Sequence, residues 1–425
     1  MNLERIYQAF SQNGLVSTDS RNIPLGAVFF ALKGPNFDGN KYAKEALTKG
    51  AIAAVVDDPA LANEQNLIVV PDVLKALQAL SVMHRKAMGT TIIGLTGSNG
   101  KTTSKELMHA VLKQSFDVLA TEGNLNNHIG VPLTLLRLKP SHQVAIVEMG
   151  ANGIGQIEEL AAMAQPDYGY ITNFGKAHLE GFGSEEGVVI GKSELYQQLR
   201  ATNRTAIVNA DDSKQIQQSA GINRVTFGGQ GDVKITCGVS DDGLVYGDYY
   251  GVRIQSQLTG AYNQSNVAAA IAVGVLFDMP LNKIEAGISG YVPTNNRSQW
   301  CTVGGVRLLL DAYNANPTSV EAALTSFASL PGKKWVVLGD MLELGIYAND
   351  EHQKIADIAA SLSFDKVLLV GPFFRKVTSP EVETFESTSA VADYLSNQKT
   401  NDALSVLLKG SRGMKMESLL SCFEK

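Results

Sequence analysis

A short run of glycines followed by a lysine and two threonines carries the strongest chemical signal in this sequence. The run reads Gly97-Ser98-Asn99-Gly100-Lys101-Thr102-Thr103, and it stands between an apolar stretch and a helical pattern. Backbone N–H groups of such a turn can surround a phosphate, Lys101 can neutralise its outer oxygens, and Thr102 can offer a hydroxyl to magnesium. A glycine turn can be purely structural, but Gly-Lys-Thr directly after a predicted strand favours nucleotide phosphate binding.

Five other polar positions have residue types that suit such a site. Glu148 closes an apolar run, where an open α/β sheet presents its ligand-facing edge. Asn263 and Asn266 precede an alanine-rich helical pattern, and asparagine amides can read the donor and acceptor edge of adenine. A histidine such as His178 is often structural, a lysine such as Lys192 often lies on a solvated helix face, and an asparagine can simply cap a helix. The residue types alone therefore leave these roles open.

Short apolar runs rich in β-branched residues recur along the chain and must hold these side chains in place. Most end in glycine or a polar residue, and several are followed by a helical pattern. Parallel strands need this alternation, because a crossover helix must carry the chain back before the next strand begins. We therefore predict an α/β fold with strands at residues 92–97, 144–150, 168–175, 206–209, 307–313, 334–340, 366–371 and 404–410.

The same patterns predict three domains, at residues 1–86, 87–294 and 295–425. The first holds candidate strands at 28–32 and 52–56 around a helical pattern. The second carries the glycine-rich run on a parallel sheet of the P-loop ATPase type, and its polar stretch 228–251 indicates hairpins inserted after the main sheet. The third alternates strand and helix, with Asn316 as a predicted N-cap and Pro317 at the first helical position. That alternation favours a doubly wound, Rossmann-like domain.

Composition excludes several classes of protein. The 425 residues include 36 basic and 42 acidic side chains, and a net charge of -6 gives no broad basic surface for a nucleic acid. The three cysteines have neither zinc-site nor disulfide spacing, which is typical of a reducing compartment. No signal peptide pattern or run of eighteen apolar residues occurs. We expect a soluble cytoplasmic protein that binds neither nucleic acid nor membrane.

The glycine-rich run and the segments after it resemble those of the Mur ligases, which are ATP-dependent amide ligases. The strand end at Glu148, the string Asn173-Phe174-Gly175-Lys176-Ala177-His178-Leu179-Glu180 and the lysine at 192 follow in the family's order. The resemblance implies catalytic roles and two magnesium ions, with carbon dioxide carbamylating Lys192. The implied catalytic residues are Lys101, Glu148, His178 and Lys192, and the implied metal ligands are Thr102, Glu148, His178 and Lys192.

The resemblance also implies an extended ATP site. Tyr262-Asn263-Gln264-Ser265-Asn266 is similar to the family's adenine-contacting segment, and Arg297 aligns with an arginine that meets ATP as the C-terminal domain closes. A solvated linker charge is the alternative for Arg297. The implied ATP-binding residues are Gly97, Ser98, Asn99, Gly100, Lys101, Thr102, Thr103, Asn263, Asn266, Arg297, Asp311 and Tyr313.

Two segments resemble the parts of this family that bind the uridine-nucleotide substrate. In the first, Asp19-Ser20-Arg21 and the residues up to Asp38-Gly39 imply cationic and hydroxyl contacts to a diphosphate. Asn40 stands where the family usually has a histidine, so no role transfers to that position. In the second, the loop 123–134 is similar to one that holds the muramoyl peptide, although asparagine-rich turns are often structural. The implied UDP-sugar and peptide contacts are Ser20, Arg21, Lys33, Asp38, Asn126 and Asn127.

The last domain resembles the member of the family that adds D-alanyl-D-alanine. The similar segments are Asp311-Ala312-Tyr313-Asn314-Ala315-Asn316-Pro317, Leu338-Gly339-Asp340-Met341-Leu342-Glu343-Leu344-Gly345 and Lys409-Gly410-Ser411-Arg412. Leu310 and Ala312 replace an aspartate and a serine of the family motif. The roles of Asp311, Tyr313, Asn314 and Asn316 carry over, and the resemblance implies that Asn314 and Asn316 bind the acceptor. The Asp-Asn-Pro-Arg motif of the diamino-acid-adding member is absent from the chain.

This resemblance spans essentially the whole chain and implies one reaction. ATP would drive the joining of D-alanyl-D-alanine to UDP-N-acetylmuramoyl-tripeptide through an acyl phosphate. The products would be the UDP-muramoyl-pentapeptide precursor of peptidoglycan, ADP and phosphate. We expect a cytoplasmic monomer with small-molecule substrates, and with ATP and two magnesium ions as cofactors.

Other functions stay open at this point. A Mur-type ligase that adds a single amino acid, or a ligase similar to folylpolyglutamate synthetase, would share the glycine-rich run. A nucleotide-binding regulatory or scaffold protein could keep the fold without turnover. The chain has all of the catalytic residues and metal ligands that the resemblance implies, and their presence together favours an enzyme: Lys101, Thr102, Glu148, His178 and Lys192.

Overall fold

The computed structural model of the protein describes residues 2–62, 64–294, 296–398 and 403–424. These residues cluster into two compact units. The first comprises Met1–Leu95, Phe116–Gly150 and Gln156–Gly169, and the second comprises Thr96–Ser115, Ala151–Gly155 and Tyr170–Lys425. Across the described ranges, none of the helices combines the length and the apolar character needed to cross a membrane.

The described residues form strands and helices in alternation along most of the chain. The strands are β1 Val16–Ser17, β2 Val28–Phe30, β3 Lys33–Gly34, β4 Phe37–Asp38, β5 Ala53–Val56, β6 Leu67–Val69, β7 Thr91–Thr96, β8 Val118–Ala120, β9 Val144–Glu148, β10 Tyr168–Ile171, β11 Thr205–Asn209, β12 Asn223–Gly228, β13 Val233–Val239, β14 Leu244–Tyr249, β15 Val252–Thr259, β16 Gln299–Val303, β17 Val306–Asp311, β18 Lys333–Gly339, β19 Lys366–Val370, β20 Glu383–Phe385 and β21 Leu404–Lys409. The helices are α1 Leu3–Phe10, α2 Ala43–Thr48, α3 Val73–Met88, α4 Lys101–Leu112, α5 Gly130–Leu135, α6 Gln156–Ala164, α7 Leu179–Phe182, α8 Glu185–Ala201, α9 Ser213–Gln218, α10 Gln264–Leu276, α11 Leu281–Ser289, α12 Pro317–Ala328, α13 Ala348–Ser361 and α14 Thr388–Ser396.

In the first unit, a four-stranded parallel sheet has the order β1-β2-β5-β6. Side chains alternate across a strand, so Val28 and Phe30 pack in one apolar cluster while Phe29 and Ala31 pack in another. A parallel sheet that is buried on both faces needs continuously apolar strands of this kind. The two strands predicted here are confirmed as β2 and β5, whereas the sequence patterns missed β1 and β6, which span only two and three residues.

Three parallel strands of the first unit, in the order β7-β9-β8, carry the strand that precedes the glycine-rich run. Strand β9 is buried at every residue and ends at Glu148. Its burial on both faces explains why it contains only apolar residues before that carboxylate. The predicted strands at 92–97 and 144–150 are confirmed, with ends one or two residues shorter.

The second unit has six strands in the order β15-β14-β13-β12-β11-β10. Strands β11, β12 and β13 are parallel neighbours, and β13, β14 and β15 form an antiparallel meander. The meander confirms the hairpins predicted from residues 228–251. It continues the edge of this sheet, because β13 pairs with β12 in parallel register.

The second unit also contains a six-stranded sheet with the order β16-β17-β21-β18-β19-β20. All neighbours are parallel except β16 and β17, which form an antiparallel edge. Asn316 caps α12 as predicted: its side chain accepts from Ser319 N, with Pro317 at the first helical position. This is the doubly wound arrangement that the alternating pattern predicted.

Candidate functional site

The phosphate loop, residues 97–103, adopts a conformation that requires its two glycines. Gly97 has φ 142°, and a Cβ there would lie 2.0 Å from Thr172 Oγ1. Gly100 has φ 78° and precedes α4, so that the loop passes directly into the helix N-terminus. Backbone N–H groups at a helix N-terminus favour anions, because they lack partners within the helix and stand at the positive end of its dipole. The local structure is therefore that of a phosphate-binding turn.

The segment 172–175 supports the phosphate loop through hydrogen bonds. Ser98 Oγ donates to Gly175 O at 2.7 Å, and Asn99 N donates to Asn173 Oδ1 at 3.1 Å. Asn173 Nδ2 returns a hydrogen bond to Asn99 O at 3.0 Å. The sequence predicted a strand over 168–175, but β10 ends at Ile171, because the next residues turn to support this loop. Asn173 is thus a positioning residue that the sequence reasoning did not single out.

Lys101 occupies the first turn of α4 with its side chain folded over the loop. Its Nζ donates to Gly97 O at 2.7 Å and to Ser98 O at 3.2 Å. These two carbonyl groups hold the ammonium against the loop. An ammonium in this place can neutralise the outer oxygens of a bound phosphate.

Asn263 and Asn266 lie buried behind the phosphate loop, with 2% and 4% exposure. Asn263 Nδ2 donates to Thr259 O at 2.7 Å, and Asn266 Nδ2 donates to Asn263 Oδ1 at 2.8 Å. Asn266 Oδ1 accepts from Ser104 Oγ at 2.8 Å. Asn266 thus fastens α10 to α4, and Asn263 fastens the start of α10 to the end of β15. Contact of these amides with adenine stays a prediction.

In the first unit, Glu148 presents a carboxylate at the end of β9. It is 1% exposed, and its Oε1 accepts from Asn126 Nδ2 at 2.9 Å. Thr121 Oγ1 accepts from Glu148 N at 3.0 Å, which fixes the strand end. Asn127 has a different place, since its Oδ1 accepts from the N–H groups of Ile129 and of Gly130 at the start of α5. Substrate contacts by Asn126 and Asn127 stay predictions.

Lys192 is fully buried on α8, so it is not the solvated lysine that was the alternative. Its Nζ donates to Ala151 O at 3.0 Å and lies 4.9 Å from the centre of the Phe182 ring. Burial, and then the charge of Lys101, hold the pKa of Lys192 well below its ordinary value. A lysine with a lowered pKa spends more time as the neutral amine, which is its nucleophilic form.

His178 contacts Glu343, which belongs to the C-terminal part of the second unit. The His178 Nδ1 and Glu343 Oε2 atoms form a close hydrogen-bonded pair, and both residues have left-handed backbone, with φ 54° and 62°. Glu180 N also donates to Glu343 O at 3.2 Å, and Tyr347 OH donates to Gly183 O at 3.1 Å. The hydrogen bond from His178 holds the pKa of the Glu343 carboxyl below its ordinary range. Glu343 therefore fixes which ring nitrogen of His178 faces away from the pair.

Replacing Glu343 by glutamine should lower kcat about tenfold while leaving the KM for ATP nearly unchanged, because an amide orients the imidazole less firmly than a carboxylate. Steady-state phosphate release measures both constants. The matched control is Glu386→Gln, an exposed carboxylate before α14 that should have no effect. A rise in KM with constant kcat would contradict the positioning role.

Arg297, Asp311 and Tyr313 form one cluster in the second unit. The Arg297 guanidinium stacks 3.6 Å from the centre of the Tyr313 ring. Asp311 accepts from Ser298 N at 3.2 Å and pairs with Lys409, which is 2% exposed. Arg297 is therefore packed against an aromatic ring, which the solvated-linker alternative does not predict. Contacts of this cluster with ATP stay predictions.

Asn316 links the C-terminal sheet to the phosphate loop. While its Oδ1 caps α12, its Nδ2 donates to Asn99 Oδ1 at 2.6 Å. Lys176 N donates to Thr318 Oγ1 at 3.0 Å in the same region. Asn314 lies beside this link, exposed, with its Oδ1 accepting from the next backbone N–H. The proximity of Asn316 to the loop fits an acceptor site near the phosphates, and acceptor binding by both residues stays a prediction.

The residues predicted for the uridine-nucleotide substrate are largely engaged in local pairs. Lys33 pairs with Asp57 at 2.7 Å, and the exposed Arg21 pairs with Asp19 at 2.8 Å. Ser20 is buried, with Lys49 Nζ donating to its carbonyl oxygen. Substrate binding stays a prediction for Ser20, Arg21, Lys33 and Asp38.

Asn40, which replaces the family's histidine, has a structural place in this region. It is 7% exposed, and its Nδ2 donates to Asp38 Oδ1 at 2.9 Å and to Asp57 Oδ1 at 2.8 Å. Its Oδ1 accepts from Asp57 N at 3.0 Å. Burial raises the pKa of Asp57, but hydrogen bonds from Lys33 and from Asn40 outweigh it and lower that pKa. The amide thus holds two carboxylates at a fixed separation.

Replacing Asn40 by alanine should lower the free energy of unfolding by about 2 kcal/mol, because two partners of a buried amide lose their hydrogen bonds. Urea denaturation monitored by circular dichroism measures this change. Asn22→Ala, at an exposed position of the same unit, should leave the midpoint within error. Equal midpoints for both variants would contradict the structural role of Asn40.

Within the described part of the chain, no three histidine, cysteine, aspartate or glutamate side chains group as a metal site. Magnesium does not require such a group, since it is usually held by one or two carboxylates together with substrate phosphates.

Profiles of three related domains match most of the chain. The Mur ligase family catalytic domain matches residues 14–85, the Mur ligase middle domain matches residues 95–274, and the Mur ligase glutamate ligase domain matches residues 296–412. A UDP-N-acetylmuramoyl-tripeptide--D-alanyl-D-alanine ligase of Bacillus subtilis (strain 168) is 34% identical, over 95% of this chain and 92% of its own length.

Solved structures of similar proteins agree with this assignment. A crystal structure of MurF from Acinetobacter baumannii is similar with a TM-score of 0.90 and 30% identity, over 100% of this chain and 98% of its own. MurF ligase from Thermotoga maritima, in complex with ADP, is similar with a TM-score of 0.87 and 27% identity, over 96% of this chain and 97% of its own. The predicted α/β fold with several domains is confirmed. The chain belongs to the Mur ligase family.

Proposed function

We propose that this chain joins D-alanyl-D-alanine to UDP-N-acetylmuramoyl-tripeptide and converts ATP to ADP and phosphate. The product is the UDP-muramoyl-pentapeptide precursor of peptidoglycan. The observation that carries the proposal is the phosphate loop between β7 and α4. The Bacillus subtilis relative, which is named for this reaction, is similar to the chain over nearly its full length. The enzyme is an ATP-dependent amide-bond-forming ligase.

The chemistry requires activation of a carboxylate. Oxide is a poor leaving group, so the tripeptide's terminal carboxylate first attacks the γ-phosphorus of ATP, and ADP leaves. The amine of the dipeptide then attacks the acyl carbon of the resulting acyl phosphate. A tetrahedral intermediate expels phosphate, and the amine proton goes to solvent or to phosphate. No covalent bond to a protein side chain is needed.

The residues of the phosphate loop supply positioning and charge. Loop N–H groups and the α4 N-terminus hold the β- and γ-phosphates, and Lys101 turns its ammonium from the loop carbonyls to the transferring group. Asn316 reaches the same loop through Asn99, so the C-terminal part of the unit can bring the acceptor amine to the activated carboxyl. Catalysis in this scheme is mainly orientation and electrostatic stabilisation.

The donor chemistry of Thr102 and Glu148 fits magnesium, because both offer the oxygen atoms that this ion prefers. Glu148 is buried and held by Asn126, so its carboxylate is preoriented. Lys192 as a carbamate, with His178, would hold a second ion. When bound, magnesium neutralises the charge that develops on the transferring phosphoryl group.

Lys192 is the proposed site of carbamylation. Its neutral amine, favoured by complete burial, adds to the carbon of carbon dioxide and loses one proton, which gives a carbamate with two oxygen donors. The modification replaces a buried amine by an anion that metal ions can balance.

Replacing Lys192 by methionine should lower kcat at least about a hundredfold, because the apolar stem remains while the carbamate is lost. Carbon-13 NMR after incubation with labelled bicarbonate should show a carbamate signal in the protein that has Lys192 and no such signal in the Lys192→Met variant. Lys214→Met, at an exposed lysine on α9, is the control and should retain both signal and rate. Equal carbamate signals with and without Lys192 would contradict the assignment.

A ligase that adds a single amino acid is the alternative within the family. Mass spectrometry of the reaction with UDP-muramoyl-tripeptide, ATP and D-alanyl-D-alanine tests the proposal. We expect one product whose mass equals the sum of nucleotide peptide and dipeptide less one water, with ADP in equal amount. ADP formed without this product would contradict the proposal.

The domain limits at 86 and 294, the monomeric state and the cytoplasmic location stay predictions.

A further inference from the structure

Three parallel strands of the C-terminal sheet bring their carboxyl ends side by side. Strand β18 lies between β21 and β19, so the loops that follow these strands are neighbours. The carboxyl edge of an open α/β sheet is where functional side chains usually lie. Asp340 and Ser411 are buried in these loops, and the buried His352 of α13 contacts the same edge through Met341. We call Asp340, His352 and Ser411 the edge cluster.

The edge cluster makes hydrogen bonds to the backbone of the turn that follows β18. Met341 N donates to His352 Nε2 at 2.9 Å, and Leu342 N donates to Ser411 Oγ at 2.9 Å. Ser411 N donates in turn to Asp340 O at 3.2 Å. Three consecutive residues of the turn are thus fixed by partners from α13 and from the loop after β21. The residue that comes next in this turn is Glu343.

The side chain of Asp340 joins this turn to the loop after β19. Its Oδ2 accepts from Phe373 N at 2.9 Å, and its Oδ1 accepts from Phe374 N at 3.0 Å. Gly371, with φ 124°, leaves room for the carboxylate, since a Cβ there would lie 2.4 Å from Asp340 Cγ. A carboxylate that is 1% exposed and accepts two backbone hydrogen bonds is firmly held. The turn is therefore tied to all three strand ends.

His352 is held as a neutral ring with its proton on one nitrogen. Its Nε2 faces the N–H of Met341 and must accept, while its Nδ1 lies 2.6 Å from Ala348 O and must carry the proton. Burial lowers the pKa of His352 below its ordinary value, which agrees with the neutral ring. The rings of Phe373 and Phe374 pack on it, with ring centres 5.1 and 4.6 Å away. The acceptor of Met341 N is therefore fixed in place.

We propose that His352 is a positioning residue for the ligase reaction and that it acts through Glu343. By holding Met341 N, it fixes the left-handed turn in which Glu343 pairs with His178 and accepts from Glu180 N at 3.2 Å. The effect of His352 on the reaction passes through this turn and not through a contact with substrate. This role rests on the proposed ligase function, since turnover is one of its two readouts.

Hydrogen–deuterium exchange of the full chain without ligands tests the link directly. His352→Leu removes the acceptor of Met341 N, so exchange in segments 340–344 and 178–183 should become at least about fivefold faster, because losing one hydrogen bond eases local opening. His352→Gln places an amide oxygen near the position of Nε2 and should restore slow exchange. Both variants lose the hydrogen bond to Ala348 O, so their difference reports on Met341 N alone. Exchange at 178–183 that is unchanged in the leucine variant, or equally fast in both variants, would overturn the proposal.

A double-mutant cycle in phosphate release separates positioning from a general loss of stability. His352→Leu should lower kcat about fivefold with little change in the KM for ATP, and the same replacement in a Glu343→Gln chain should lower kcat no further. Independent effects would multiply to a loss of about fiftyfold, and that result would overturn the proposal. His84→Leu, at a buried histidine of the first unit, is the matched control and should leave kcat within about twofold. If the unaltered chain released no phosphate, the proposed function would fail, while the exchange measurement would still decide the link.

Discussion

Replacing Lys101 by methionine will lower kcat for phosphate release at least about a hundredfold, which is the typical effect of losing one charged or polar stabiliser of a transition state. Methionine keeps the unbranched stem that packs in the first turn of α4 but has no ammonium. The contacts of Lys101 Nζ to Gly97 O and Ser98 O also disappear, yet the backbone hydrogen bonds of the loop remain. The variant should therefore fold and still bind ADP, with its defect in the rate of phosphoryl transfer.

Lys113→Met is the matched control for this prediction, since Lys113 is an exposed lysine at the end of the same helix. Its kcat should stay within twofold of the unaltered chain, an allowance we make for surface substitutions in general. Single-turnover phosphate release and calorimetric ADP titration separate the two steps. A Lys101→Met enzyme with a normal single-turnover rate would contradict the role of the ammonium in phosphoryl transfer.

Replacing Gly97 by alanine should abolish detectable ADP binding and lower Tm. An alanine Cβ would lie 2.0 Å from Thr172 Oγ1 and 2.9 Å from Thr172 N, so a backbone segment must move. Thr172 Oγ1 in turn donates to Asn99 O at 2.5 Å, so that movement spreads into the phosphate loop. Because the loop binds phosphate through the precise direction of its N–H groups, a small shift removes several hydrogen bonds at once.

Gly221→Ala separates this clash from the general cost of a left-handed alanine. Gly221 has φ 73°, and a Cβ there would meet nothing within 4 Å. Backbone strain should lower the free energy of unfolding of the Gly221→Ala variant by about 1 kcal/mol, and its affinity for ADP should be unchanged. If Gly97→Ala bound ADP as tightly as Gly221→Ala, the close approach of residues 97 and 172 would not matter for the site.

The sequence was most informative where burial on both faces forces a continuous apolar run. Strands β7, β9, β18 and β21 were predicted nearly to the residue for this reason. The phosphate loop was equally predictable, since two glycines, a lysine and a threonine at fixed spacing have few other uses after a strand. Strands β1 and β6, of two and three residues, were missed, because such short runs give no period to detect. Strand β2 also has three residues, but it was predicted because it lies within the longer apolar run 28–32.

Contacts between distant segments could not be predicted from residue types. The residue types at 263 and 266 favoured base-reading amides, which stays a prediction, but they did not reveal the hydrogen bonds to Ser104 and Thr259. The structural role of Asn40 likewise depends on its hydrogen bond to Asp57, which lies 17 positions away and which no local sequence pattern connects to it. Polar side chains are versatile donors and acceptors, so only the tertiary fold decides which partner each one finds.

The pairing of His178 with Glu343 shows the same limit at the candidate site. Both residues stood in segments that resemble the Mur ligases, but the 165 positions between them concealed their contact. Asn99 and Asn316 are 217 positions apart in the sequence. The capping role of Asn316 was predictable, while its hydrogen bond to the phosphate loop was not. Sequence patterns thus identified most of the segments, and the fold supplied the pairs.

The most direct test of the account is phosphate release from ATP in the presence of UDP-muramoyl-tripeptide, with D-alanyl-D-alanine compared against single amino acids as the acceptor. The proposed function predicts release that depends on the dipeptide and on the nucleotide peptide together. Release with a free amino acid alone would keep the family and contradict the acceptor, and no release with any acceptor would contradict the ligase assignment itself.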